Sequence, residues 1–145
     1  MISREEIFEF SKKVLQVLQS LGFFEGKPPM VEGFDVELSD GAELADRNYR
    51  SAFSVASNGV PVIVVKKDFS LCEPDDLYGL IHETIHIAQV MKGDYVCSFN
   101  KQVLWKGGIY KSLDGLHPDY FDERLQPWEA EAEEMVPLVF AQLGK

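Results

Sequence analysis

The segment from Pro74 to Met91, which contains GLIHETIHIAQ, most strongly limits how this chain can fold. Pro74 near its start and Lys92-Gly93 after its end are typical helix boundary signals. In a projection at about 100° per residue, leucine, isoleucine, alanine and methionine side chains cover most of the surface. The opposite side carries a polar strip, which consists of Asp75, Tyr78, His82, His86 and Gln89. This pattern predicts a buried helix that presents one polar strip to a cleft.

The two histidines of the strip form the motif H-E-x-x-H with Glu83. Residues four apart lie one turn above each other on the same helix face, so His82 and His86 can reach one ion. Zinc suits imidazole ligands. Glu83 is turned about 100° from His82, where it can take a proton from an activated water. The alternative is two polar residues satisfied within a buried helix, but the strip favours a zinc site.

A catalytic zinc site usually needs a third protein ligand. The extended motif H-E-x-x-H-x-x-G-x-x-H fails here, because its glycine and third histidine positions hold Gln89 and Lys92. His117 lies beside Pro118 in a predicted loop, and the two cysteines lack ligand-like spacing. A carboxylate is therefore the expected third ligand.

The last predicted helix, which begins at Pro127, narrows this choice. Glu129 and Glu133 project onto its apolar face, whereas Glu131 and Glu134 project towards solvent. A carboxylate that faces the core without a partner destabilises the folded state by several kcal/mol. We infer that Glu129 is the third ligand and that Glu133 accepts the free N–H of a ligating histidine. The alternative is that both are solvated near a frayed helix start.

The rest of the sequence predicts two flanking helices and several strands, in one α+β domain over residues 1–145. Ser3 and Glu6 form a capping box that begins an amphipathic helix ending near Leu21. We also expect a strand with Phe34, Val36 and Leu38 on one face, a type I′ hairpin turn at Asn58-Gly59, and an edge position near Pro61. Short strands are expected around a turn at Gly107-Gly108.

The last helix is expected to have an apolar face with Val136, Val139, Phe140 and Leu143, and a kink at Pro137.

Composition excludes some classes of function. The net charge of -10 argues against nucleic-acid binding, which needs a basic surface. Cys72 and Cys97 are expected to be buried, reduced thiols. The absence of a signal-like start and of a membrane-length apolar run favours a soluble, cytoplasmic protein without a membrane partner.

H-E-x-x-H followed on a later helix by Glu-x-x-Ala-acid resembles the gluzincin zinc metallopeptidases. HETIHIAQ, together with WKGGIY and PWEAEAEE, is similar to small metallopeptidases often encoded by phages and bacteria; the likeness covers about Leu77 to Met135. The resemblance implies a zincin-like fold, in which a small mixed β-sheet packs on the active-site helix between N-terminal and C-terminal helices. It also implies that His82, His86 and Glu129 bind Zn²⁺, that Glu83 is the catalytic base, and that Glu133, where aspartate is more usual, supports a histidine.

These features predict a zinc metallopeptidase that hydrolyses a peptide or protein substrate with a metal-activated water and Glu83 as general base. Tyr110, His117 and Tyr120 are candidates for the donor that stabilises the oxyanion. The strand from Val60 to Val65 is either a core strand or an edge for an extended peptide. The alternative function is a non-catalytic, zinc-stabilised protein-binding module, such as a phage or bacterial accessory protein. Cys97 or His117 as a fourth ligand would favour this alternative.

Overall fold

The computed structural model describes residues 2–27, 33–40, 50–56, 58–97, 102–112, 115–116 and 126–144. Three helices lie within these ranges: α1 (Arg4–Ser20), α2 (Pro74–Lys92) and α3 (Pro127–Leu143). The strands are β1 (Asp35–Ser39), β2 (Ser51–Val55), β3 (Pro61–Lys66), β4 (Tyr95–Cys97), β5 (Val103–Trp105), β6 (Gly108–Ser112) and β7 (Gly115–Leu116). The predicted α+β class is confirmed.

Helix α1 begins at the predicted capping box. The Ser3 hydroxyl accepts a hydrogen bond from the Glu6 N–H at 3.1 Å, and the Glu6 carboxylate accepts one from the Ser3 N–H at 3.2 Å. Two N–H groups that lack helical partners are thereby satisfied. Ile7, Val14 and Leu18 on the apolar face of α1 are buried, as the helical spacing predicts, whereas Phe10 and Val17 are half-buried.

The strands form two small sheets. In the first, β3 is the central strand, parallel to β1 and antiparallel to β2. The second is an antiparallel sheet in the order β4-β5-β6-β7. The expected edge position near Pro61 is wrong, because β3 pairs on both sides and is largely buried. Pro61 is tolerated since it is the first residue of the strand, where the missing N–H costs least.

Two hairpin turns differ from the expected pattern. Gly59 has a φ of 86°, but the hydrogen bond of this turn spans Ala56 to Gly59, so Asn58-Gly59 is not the central pair of a type I′ turn. The Gly59 N–H donates to the carbonyl of Ala56, in a longer loop with glycine at its left-handed position. The two-residue turn with positive φ at both positions is instead Lys106-Gly107 (48° and 86°), between β5 and β6.

Helix α2 lies at the centre of the molecule, as its nearly continuous apolar surface predicts. One side packs against β1, β3 and α1 through Leu80, Ile87 and Met91. The other side packs against α1 and α3 through Ile81, Ile85 and Ala88. A helix covered on two sides can place a side chain rigidly on its remaining face.

An ion pair connects the start of β2 to the first turn of α2. The buried Asp76 carboxylate accepts hydrogen bonds from the Arg50 guanidinium and, at 2.9 Å, from the Ser70 N–H. Arg50 also contacts the exposed Asp68 carboxylate at 3.1 Å. These contacts fix β2 beside the helix that carries the histidines.

Three further expectations have definite outcomes. Cys72 is exposed and Cys97 half-buried, so the expectation of two buried thiols is wrong, although both are free cysteines. Helix α3 continues through Pro137 to Leu143. Among the residues that the structure describes, none of the helices is long and apolar enough to cross a membrane.

Candidate metal centre

Three side chains from two helices meet at the surface where α2 packs against α3. The Nε2 atoms of His82 and His86, from α2, lie 3.1 Å apart. Glu129, in the first turn of α3, places its Oε2 2.9 Å from His82 Nε2 and its Oε1 2.9 Å from His86 Nε2. The structure thus brings together the three residues predicted as zinc ligands, and their donor atoms form a group that could hold a metal ion.

The spacing of these atoms fits a small cation. Nitrogen ligands about 2.0–2.1 Å from a tetrahedral zinc ion stand roughly 3.4 Å apart. The three donor pairs here, at 2.9–3.1 Å, are already gathered at slightly shorter separations. Lone pairs that converge in this way repel one another unless a proton or a metal ion lies between them.

The charges within the cluster also favour a bound cation. Burial opposes protonation of His86, but the hydrogen bond and charge of Glu129, the charge of Glu83 and the contact with Gln89 raise its pKa above the ordinary value. Burial also opposes ionisation of Glu129, yet its hydrogen bonds to His82 and His86 lower its pKa to about 2. The cluster therefore keeps a carboxylate ionised and attracts positive charge.

The polar strip of α2 runs from solvent into the core. The exposed fraction is 40% at Tyr78, falls to 19% for the His82 side chain and 3% for His86, and reaches 0% at Gln89. The Tyr78 ring stacks on Phe140 of α3 at 4.8 Å. Phe140, expected within the apolar face of α3, is exposed. The cluster is therefore reached from the end of the strip that holds Tyr78.

Glu83, the predicted general base, directly follows His82 on α2 and is half-buried. Its negative charge contributes to the raised pKa of His86. A carboxylate that is close to a cation site yet outside the donor group is suited to take up a proton.

The predicted environments of Glu133 and Glu131 need correction, whereas the proposed support of a histidine by Glu133 stays a prediction. Glu133 lies with one oxygen 3.5 Å from His82 Nδ1, but its side chain is 77% exposed instead of facing the core. Glu131, expected in water, is half-buried, because it accepts a hydrogen bond from the Gln89 amide at 3.1 Å. Glu134 is exposed, as expected.

Gln89 is the residue of the site whose role the sequence pattern did not reveal. Its Oε1 lies 2.8 Å from His86 Nδ1, and its amide N–H donates to the carbonyl of Trp128 at 2.8 Å. Its place on the polar strip, three residues after His86, could have indicated this role, since a fully buried amide requires hydrogen-bond partners.

An aromatic group lines the inner side of the cluster. Phe53 of β2 stacks on the His86 ring at 5.2 Å, and Tyr95 packs edge-on against Phe53 and Trp128. Tyr110 packs edge-on against Trp128 at 5.2 Å, so this oxyanion candidate lies beside the residue that precedes Glu129. Its proposed role stays a prediction. His117 and Tyr120, the other two candidates, lie outside the described residues.

Cys97 does not belong to the donor group, which within the described part of the chain consists of His82, His86 and Glu129. The chain matches no protein-family model, and no curated protein or solved structure shows significant similarity to it. The likeness to gluzincins therefore rests on the motifs, and the metal, the zincin-like fold and the activity stay predictions.

Proposed function

We propose that this protein is a zinc-dependent metallopeptidase with a gluzincin-like ligand set on a zincin-like fold. The observation that carries the proposal is the convergence of two Nε2 atoms and both oxygens of one carboxylate, from two helices, within 2.9–3.1 Å. Two imidazoles and a carboxylate are a common ligand set of catalytic zinc in peptidases. His82, His86 and Glu129 would hold the ion.

When bound, zinc would supply Lewis-acid activation of a water molecule and of the substrate carbonyl. Glu83 accepts the proton that the attacking water loses as its oxygen bonds to the carbonyl carbon. Glu83 then donates this proton to the nitrogen of the leaving amine as the C–N bond breaks. Both transfers require a carboxylate beside the ion that is not itself a ligand, and this is the role that we propose for Glu83.

The second candidate is a zinc-stabilised binding module without catalysis. The observation that favours it is that the three donors bridge α2 and α3, so that an ion would link two helices of the core. This function requires a fourth protein ligand. Within the described residues no cysteine joins the group, which leaves His117, outside them, as the residue to test.

The decisive experiment compares wild type with Glu83→Gln. The amide cannot accept the proton, so cleavage of a peptide library should fall by about 10²–10⁴-fold, while zinc stoichiometry stays at that of wild type. Glu134→Gln, an exposed change of the same chemistry on α3, should alter neither quantity. A Glu83→Gln variant that cleaves as fast as wild type would contradict the proposed base.

A further inference from the structure

The orientation of the Gln89 side chain is determined by its neighbours. Its amide nitrogen lies 2.8 Å from the Trp128 carbonyl and 3.1 Å from a Glu131 oxygen, and both of these groups only accept hydrogen bonds. The nitrogen must therefore face α3. The amide oxygen then faces His86, at 2.8 Å from Nδ1.

This orientation has a consequence for the imidazole. An amide oxygen is an acceptor, so the proton between it and His86 belongs to Nδ1. With one proton held on Nδ1, Nε2 is the nitrogen of His86 left to bind an ion, and this is the atom that faces His82 and Glu129. A free imidazole in water can rotate and can carry its proton on either nitrogen. Here a buried partner fixes both the ring plane and the proton on Nδ1.

The Gln89 amide also holds the start of α3. Its N–H groups donate to the Trp128 carbonyl and the Glu131 carboxylate, and these two residues lie on either side of Glu129 in the chain. Gln89 is completely buried, so these bonds form in a low-dielectric interior where an unpaired group is costly. One side chain thus connects a histidine of α2 to the helical turn that carries Glu129.

We propose that Gln89 is the positioning residue of this site, which holds His86 by its Nδ1–H so that Nε2 faces the ion, and which holds Glu129 opposite it. Its functional meaning rests on the proposed metal site. The Nδ1–H hydrogen bond itself belongs to the metal-free chain and can be measured without an ion. Three variants separate the two roles: Gln89→Met removes both, Gln89→Glu keeps an acceptor for Nδ1–H but loses the donor to α3, and Gln89→Glu with Glu131→Gln restores a donor across that contact.

The first measurement is ¹H–¹⁵N NMR of the ring N–H groups in histidine-labelled, metal-free protein. Wild type and Gln89→Glu should show a slowly exchanging proton on His86 Nδ1, because a buried oxygen accepts its hydrogen bond. Gln89→Met should lose this protection, and a Gln89→Met spectrum identical to that of wild type would overturn the proposal. A wild-type His86 without a proton on Nδ1 would overturn it too.

The second measurement is zinc affinity by competition with a chelator. Loss of a residue that orients a ligand typically weakens binding by about 10–100-fold, which is expected for Gln89→Met and Gln89→Glu. The double variant should recover most of the loss of Gln89→Glu, and Glu134→Gln serves as the unaffected control. A double variant no better than Gln89→Glu would overturn the role in holding α3. Should wild type bind no zinc, the proposed function fails, and the NMR result still decides whether Gln89 accepts a hydrogen bond from His86 Nδ1.

Discussion

At the scale of single residues, the central feature is a carboxylate shared by two imidazoles. Glu129 lies 2.9 Å from both His82 and His86, and these hydrogen bonds lower the pKa of Glu129, while its carboxylate raises the pKa of His86. The metal-free site is therefore a place where protons and metal ions compete for the same donor atoms.

This competition predicts how zinc affinity depends on pH. Because the pKa of metal-free His86 is raised, His86 carries a proton below that raised value, and this proton must leave before Nε2 can bind an ion. Glu129 adds no competing proton, since its pKa is about 2. Zinc affinity should thus be highest above the pKa of His86 and fall as the pH decreases through it.

Chelator-competition titrations between about pH 5 and pH 8, the range in which histidine titrates, measure this dependence. An affinity that stays constant across the range would show that no histidine is a ligand.

At the scale of secondary-structure elements, α2 holds the site because β2, β3, α1 and α3 fix its position. The Arg50–Asp76 ion pair is the polar part of this packing. Asp76 is buried whereas Asp68, the other partner of Arg50, is exposed. The two contacts of the same guanidinium should therefore contribute unequally to stability.

Arg50→Ala should destabilise the protein by about 2 kcal/mol, because the buried Asp76 carboxylate loses its ionic partner and keeps the hydrogen bond from the Ser70 N–H. At this chain length such a loss lowers Tm by roughly 4–8 °C. Asp68→Asn is the matched control and should change stability by less than about 0.5 kcal/mol. Equal effects of the two variants in thermal unfolding would contradict this assignment.

The sequence predicted these elements unevenly, for physical reasons. Periodicity and caps located α1, α2 and α3 closely, since helix boundaries depend on local residues such as Ser3 and Gly93. Turn type was less predictable: Gly59 occupies a left-handed position as expected, but its N–H bonds to Ala56 in a longer loop, because loop length and strand pairing also determine the turn.

At the scale of the whole molecule, the proposed ion would connect α2 to α3 and so stabilise the folded state over the unfolded one. A ligand at about 100 times its Kd adds about 2.7 kcal/mol, which corresponds to a rise in Tm of roughly 5–11 °C at this size. Calorimetry with and without zinc measures this rise. Glu129→Gln should abolish most of it, and an equal rise in that variant would exclude Glu129 as a ligand.

Long-range contacts limited what the sequence could reveal about the site. His82, Glu83, His86 and Glu129 were predictable because a fixed helical spacing and an inward carboxylate have direct chemical meaning. Gln89 and Glu131 were not, since their bond depends on how α2 packs against α3. Phe53, which stacks on His86, comes from a strand whose position is fixed only by the sheet.

The most direct test of the zinc proposal is X-ray absorption spectroscopy of the zinc-loaded protein, which reports the identity of the ligands and their distances. We predict two imidazole ligands with nitrogen at about 2.0–2.1 Å, completed by oxygen from Glu129 and from water. A sulfur ligand at about 2.3 Å, or a third imidazole, would instead indicate a closed structural site and contradict the assignment as a metallopeptidase.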